Sequence, residues 1–144
     1  MKKLLLTTVL ALNLVGCASV KMGDPHQDIE AKRFIAPKDA AAVYVYRNET
    51  MGAAVGMEVL VDGKLVGKTG ANTFVYKELA PGKHTIQSVA ENTDALEIDA
   101  KPGVLYYIWQ EVKMGVMYAR TKLHLVDEAR GKKGVSETKL VESK

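Results

Sequence analysis

Short apolar runs separated by turn-forming residues dominate the chain after about residue 40. The runs are rich in Val, Ile, Tyr and Thr, and Gly, Pro, Asn and Asp interrupt them at roughly 8–12-residue spacing. This texture is typical of an all-β domain. We therefore predict an antiparallel β-sandwich of about 7–8 strands over residues 41–144, ending in a short C-terminal helical tail.

The most specific turn signal is Asp62-Gly63, which separates an alternating run that starts at Met57 from a second run that ends at Thr69. Both central residues of a type I′ turn have positive φ, and Asp-Gly suits these positions. Residues 57–69 are therefore predicted to form a hairpin.

The other strands follow from the same alternation and from the turns at Ala80-Pro81-Gly82, Asn92-Thr93-Asp94 and Lys101-Pro102-Gly103. Strands are predicted over residues 41–46, 73–79, 83–91, 95–100, 104–114 and 117–125. In the last of these, the residues predicted to face the core are Met117, Ala119, Thr121, Leu123 and Leu125.

Aromatic side chains provide the best candidate for a binding surface. Tyr107 and Trp109 share the strand face opposite the aliphatic one, and Tyr118 and Arg120 join them if the last two strands pair. Two interpretations stay open: these aromatics complete a second layer of the core, which is the commoner case, or they form an exposed strip that binds a glycan or a protein.

The N-terminus has the parts of an export signal. Lys2 and Lys3 precede an apolar segment over residues 4–14, which at about 11 residues is shorter than the roughly 20 that a membrane-spanning helix needs. The segment ends in Leu-Val-Gly-Cys17, which resembles the lipobox of bacterial lipoproteins. This resemblance implies a signal peptide over residues 1–16, cleavage before Cys17 and acylation of its thiol, for example with palmitate; the alternative is an ordinary free cysteine.

Ala18 follows the lipobox, and in Gram-negative lipoproteins Asp at this position favours retention in the inner membrane. The resemblance thus implies an outer-membrane anchor, with the domain facing the periplasm. Residues 17–40 have no sustained period of 2 or 3.6, so we predict a coil tether with, at most, a short helix near residues 29–34.

Net charge and cysteine count exclude some classes of partner and bond. Loss of residues 1–16 removes two lysine charges from the formal +3 of the chain, which leaves about +1, so no nucleic-acid partner is expected. Because Cys17 is the single cysteine, the chain cannot form an internal disulfide. No cofactor is expected either.

Two motifs carry a family resemblance. The hairpin Val59 to Thr69, with Leu79-Ala80-Pro81-Gly82-Lys83-His84 after it, resembles the PEGA-type β-sandwich repeat, which has an immunoglobulin-like fold. Residues 40–126, including the Tyr-Val-Tyr-Arg47 strand and Tyr106-Tyr107, resemble the DUF2846 family of small bacterial lipoproteins. The resemblance implies a fold and a location but names no reaction.

Residues that could carry chemistry are scattered. His26, His84 and His124 lack metal-ligand spacing, and no serine lies in a nucleophile motif. Gly67-Lys68-Thr69 lacks the glycine that a phosphate loop needs five residues earlier. We therefore expect a non-enzymatic binding module that contacts the membrane through the lipid on Cys17 and binds an envelope protein or glycan. The alternative is a small metal-binding protein or hydrolase that uses His84 or His124.

Overall fold

The computed structural model describes residues 20–144, which form two packed β-sheets and two short helices. In chain order the elements are α1 (Pro25–Ala31), β1 (Ala41–Arg47), β2 (Met57–Val61), β3 (Lys64–Thr69), β4 (Thr73–Leu79), β5 (Gly82–Val89), β6 (Thr93–Ala100), β7 (Leu105–Met114), β8 (Ala119–Val126), α2 (Glu128–Ser136) and β9 (Lys139–Leu140). Sheet A has the strand order β8-β7-β1-β4-β9, and sheet B has the order β3-β2-β5-β6.

The predicted all-β sandwich with a C-terminal helix is confirmed, with two differences. The two-residue strand β9 brings the described strands to nine, and β1 pairs in parallel with β7, as β4 does with β9. Alternation of apolar and polar residues is the same in both strand directions. The pattern therefore could not show that strands from distant parts of the chain meet in parallel.

The predicted hairpin is also confirmed. β2 and β3 pair antiparallel, and the turn residues Asp62 and Gly63 have φ values of 51° and 78°. Both values lie in the left-handed region that a type I′ turn requires. A register shift between Val59 and Leu60 interrupts the ladder, which the sequence pattern did not indicate.

Sheet A is buried on both faces. Its inner face packs against sheet B around Val43, Val59 and Ile108, whereas its outer face carries Tyr44 and Phe74 beneath α1 and α2. This explains why every residue of β1 is buried. The aromatic side chains thus form a second core layer, which lies under helices and not between the sheets.

Residues 20–40 differ from the predicted coil tether. Asp24 caps α1 by accepting a hydrogen bond from the His26 N–H at 2.7 Å, and Asp28 Oδ1 accepts the Leu140 N–H at 2.7 Å. The Tyr44 hydroxyl donates to the Ala31 carbonyl at 2.7 Å. The segment is therefore docked on the outer face of sheet A, through polar contacts with residues far away in sequence that hydrophobic periodicity cannot predict.

The last strand also differs from its prediction at both ends. β8 begins at Ala119, so Met117 lies in the preceding turn and is 84% exposed, and Leu125 is 53% exposed. Both were predicted to face the core. The reason is that β8 is the edge strand of sheet A, so its ends have a neighbouring strand on only one side.

Candidate functional site

Tyr107, one of the four predicted surface residues, lies in the interior. It is 2% exposed, its ring stacks on Tyr44 with centroids 5.2 Å apart, and α2 covers it at Gly131. Burial, followed by the charge of Glu128, raises the pKa of Tyr107 to about 12. Tyr107 is therefore not part of a binding surface, and the core interpretation applies to it.

Trp109 lies two residues further along β7, where the cover from α2 is incomplete. Its half-buried ring stacks on His124 of β8 at 4.9 Å, and the Arg130 guanidinium of α2 lies 4.8 Å from the ring centroid. The His124 Nε2 atom is in turn 2.7 Å from the Glu111 carboxylate. Strand register explains this grouping, because Trp109 lies directly opposite His124 and Glu111 opposite Lys122.

A pocket of about 240 Å³ opens between Trp109 and α2. Its walls come from β1, β7, α2 and the residue after β1: Tyr46, Asn48, Trp109, Arg130, Lys133 and Gly134. Most of these side chains present hydrogen-bond donors, and two carry positive charge. Glu137 accepts hydrogen bonds from both Asn48 and Lys133, which fixes that wall of the pocket.

The electrostatics of this pocket favour an acceptor. The indole N–H of Trp109 is buried and has no hydrogen-bond acceptor within residues 20–144. In the same described part of the chain, no carboxylate forms an ion pair with the Arg130 side chain. Burial raises the pKa of the neighbouring Tyr46 hydroxyl, and Arg130 partly opposes this rise. A buried donor without a partner destabilises a fold unless an acceptor satisfies it. The pocket can therefore receive a negatively charged oxygen.

Tyr118 and Arg120 lie elsewhere on the same hairpin. Tyr118 is in the turn between β7 and β8, and Arg120 pairs in register with Lys113 near that turn. From Trp109 to Met114 the strand runs five residues, or about 16 Å. The structure thus separates the four predicted residues into a core residue, a pocket residue and two residues near an exposed turn.

The two histidines of the alternative function lie in different sheets, each beside its own carboxylate. His84 of β5 has Nδ1 2.6 Å from Asp62 Oδ2 and Nε2 2.6 Å from the Ala80 carbonyl. Because both partners are acceptors, they favour the doubly protonated ring, and the Asp62 hydrogen bond is the main reason that the pKa of His84 is raised. The described residues contain no group of three or more His, Cys, Asp or Glu arranged to hold a metal ion.

Sequence reasoning missed the pocket residues outside β7. Arg130 and Lys133 fall in the segment predicted as a short helical tail, but nothing in the sequence shows that this helix crosses the outer face of sheet A. Their spacing of three residues does place them on one helix face, which was the available signal.

The predicted signal peptide and the lipidation site Cys17 lie outside the described residues. In the described part, neither helix has the length and apolar character needed to cross a membrane.

Comparison with known proteins places the chain in a family. The family model described as a protein of unknown function (DUF2846) matches residues 37–122, a range that contains Arg47 and Trp109 but not α2. An uncharacterized protein of Haemophilus influenzae is 34% identical over 137 residues, which cover 93% of this chain and 81% of that protein. No solved structure matches. The chain belongs to the DUF2846 family.

Proposed function

We propose that this protein is a lipid-anchored envelope lipoprotein whose β-sandwich is a non-enzymatic binding module, with its ligand site in the pocket beside Trp109. The anchor is supported by Lys2 and Lys3, by the apolar segment over residues 4–14 and by the lipobox-like ending at Cys17. Ala18 supports an outer-membrane location with the domain in the periplasm. The absence of a nucleophile motif or of metal-ligand spacing in the sequence favours a binding role over a catalytic one.

The observation that carries the binding role is the buried Trp109 N–H without an acceptor, next to the Arg130 guanidinium. Together these groups provide a neutral donor and a cationic donor. A carboxylate can pair with the guanidinium through one or both of its oxygens. The ligand class is therefore a carboxylate-bearing molecule, such as an acidic glycan or an acidic protein segment.

The chemistry of Trp109 and Arg130 supports the non-enzymatic part of this proposal. Trp109 N–H and Arg130 can donate hydrogen bonds, but neither group takes up a proton or attacks a substrate near neutral pH. His124, which stacks on the Trp109 ring, is engaged by Glu111 at 2.7 Å, and Lys133 in the pocket wall donates to Glu137. A ligand would be held in this pocket by charge and hydrogen bonds alone.

The pocket contains its own probe, because Trp109 is the single tryptophan of the chain. Titration of the protein with glucuronate should change the indole fluorescence in a saturable manner, whereas glucose, which lacks the carboxylate, should not. Arg130→Met should weaken glucuronate binding by about tenfold or more, since one charge-assisted hydrogen bond contributes about 1.5–3 kcal/mol.

Lys132→Met is the matched control. It also removes one positive charge from α2, but Lys132 pairs with Glu128 and does not line the pocket. The affinity of the Lys132→Met variant for glucuronate should stay within about twofold of the native value. Equal losses of glucuronate affinity in the two variants would mean that only the overall charge of α2 matters. Trp109 fluorescence that does not change with glucuronate would refute the site.

A further inference from the structure

The turn between β7 and β8 exposes an unusual amount of apolar surface. Met114, Val116, Met117 and Tyr118 are 85, 92, 84 and 56% exposed, and together with Gly115 they form what we call the hairpin tip. Four large apolar side chains within five consecutive residues thus form an exposed apolar patch. Such patches mark surfaces that contact another apolar phase.

The hairpin tip is held in a fixed shape. Glu91, at the turn between β5 and β6, accepts the backbone N–H groups of Val116, Met117 and Tyr118 at 2.9–3.1 Å. These hydrogen bonds lower the pKa of the Glu91 carboxyl, and the one from Met117 has the largest effect. Gly115 is required, because a Cβ there would lie 1.6 Å from the Glu91 carboxylate. The apolar side chains are therefore presented outward on an ordered turn.

β7 and β8 extend past the end of β1 to the hairpin tip, with Val112 and Ala119 still buried against Met57 of sheet B. Trp109 is the last residue of β7 that pairs with β1, and β7 continues for five more residues to Met114, or about 16 Å. The loop after β1 supports the base of this extension, since Gly52 lies against Val112 and Ala119.

The first described residue lies at this same end of the sandwich. Val20 packs on Gly70, in the turn that joins the end of β3 to the start of β4. Thr73 at the start of β4 pairs with Arg47 at the end of β1, and β1 runs parallel to β7. Val20 also shares a groove with Ala53, in the loop that supports the hairpin tip. Only two strand spacings, about 10 Å, separate β4 from β7 in sheet A.

We propose that the hairpin tip inserts into the lipid bilayer as a second membrane contact beside the acylated Cys17. This inference rests on the proposed lipid anchor. Cys17 is three residues before Val20, so the chain can place it at most about 11 Å from that residue. A membrane that holds the Cys17 lipid is therefore within reach of the end of the sandwich that carries the hairpin tip.

Charge placement at the base of the hairpin tip fits a membrane surface. Lys113 and Arg120 lie opposite each other in register, just behind the apolar residues, and both are exposed. Lys113 is also 3.7 Å from the Glu111 carboxylate, and Arg120 lies near that of Glu91. Cations at this position reach lipid phosphates when the side chains beyond them enter the hydrocarbon. With two attachments, the domain is fixed with its Trp109 pocket on the side wall, above the bilayer.

The experiment uses the full chain, expressed with its signal and reconstituted into phosphatidylethanolamine and phosphatidylglycerol vesicles. Val116→Cys supplies the only free thiol once Cys17 is acylated, and it is labelled with an environment-sensitive fluorophore. Ile35→Cys is the matched control: Ile35 is also apolar and 62% exposed, but it precedes the start of β1 at the opposite end of the sandwich. Lipids with a nitroxide on the acyl chain serve as the quencher.

The expected result is a blue-shifted label at position 116, quenched at least threefold more than the label at position 35. Equal, water-like emission from both positions in acylated protein would refute insertion. So would a blue shift at position 116 without quenching, because protein and not lipid would then cover the tip. The intact mass of the same preparation tests the anchor separately: an unmodified Cys17 contradicts the proposed anchor, whereas an acylated Cys17 with an unquenched tip contradicts only the insertion.

Discussion

Arg47 is the largest fully buried side chain among the described residues, and its removal tests how the end of the sandwich that carries the hairpin tip is built. The guanidinium donates to the carbonyl oxygens of Val55 and Gly52, both at 2.6 Å, and more weakly to Met51 at 3.4 Å. These carbonyls belong to the loop that lies against the base of the hairpin tip. Arg47→Met keeps the approximate length of the side chain and removes every donor.

The magnitude follows from the two short hydrogen bonds. At about 1.5–3 kcal/mol for each bond from a charged donor, their loss costs roughly 3–6 kcal/mol. Part of this is offset, because methionine does not require the desolvation of a cation, and the buried Arg47 Nε has no acceptor among residues 20–144. We expect a net loss of about 2–4 kcal/mol, which lowers the Tm by about 8–16 °C at roughly 4 °C per kcal/mol.

Thermal and urea unfolding followed by circular dichroism measure this loss. Arg33→Met is the matched control, since the Arg33 side chain is 57% exposed and, among residues 20–144, its one ion pair is with Glu30 on the surface. That variant should stay within about 0.5 kcal/mol of the native protein. If Arg47→Met were as stable as Arg33→Met, the buried guanidinium would not organise the loop and this reasoning would be refuted.

Three further perturbations test other parts of the fold. Gly131→Ala should cost about 1–3 kcal/mol in urea unfolding despite its better helix propensity, because the new Cβ would lie 2.2 Å from the Tyr107 ring; a gain in stability would contradict the close approach of α2. Gln110→Leu removes two buried hydrogen bonds of 2.6 Å that join the Gln110 side chain to side chains of sheet B. It should lower the free energy of unfolding by about 1–3 kcal/mol, and an unchanged urea midpoint would contradict this. The raised pKa of His84 gives stability that is complete below the unfolded-state pKa of about 6.5 and is lost as pH rises through the folded-state pKa. His84→Gln should therefore remove the fall in Tm as pH rises above about 6.5, and an identical pH profile in the variant would exclude this contribution.

The sequence predicted those parts of the fold that depend on local chemistry. The Asp62-Gly63 turn follows from the φ values that only a few residue types accept, and the strands follow from alternation. These signals act over a few residues, so they hold whichever distant segment the strand later meets. The strand positions and the sandwich were therefore predictable, whereas the parallel pairing of β1 with β7 was not.

The glycines of α2 show the limit of local reasoning. Gly131 and Gly134 lower the intrinsic helix propensity of this segment, because glycine disfavours helical structure in isolation. In the structure both glycines lie inside α2, where they let the helix approach Tyr107 and Tyr46. Tertiary packing offsets the low propensity, and this packing is what covers Tyr107 and forms one wall of the Trp109 pocket.

The hairpin tip could have been recognised from the sequence, because Met114, Val116 and Met117 flank a glycine at a predicted turn, where polar residues are usual. The alternation of the following strand extended through Met117 and assigned it to the core. The pocket, by contrast, depends on Arg130 meeting Trp109 across α2 and β7, which no short-range pattern encodes.

The attachment of Cys17 to the membrane is the central claim, and the intact mass of the native protein extracted from cell membranes tests it most directly. The expected species is a mature chain that begins at Cys17 and carries a diacylglyceryl group with its acyl chains, and no such species is expected in a Cys17→Ser variant. A native chain that retains residues 1–16, or one cleaved elsewhere with an unmodified Cys17, would contradict it.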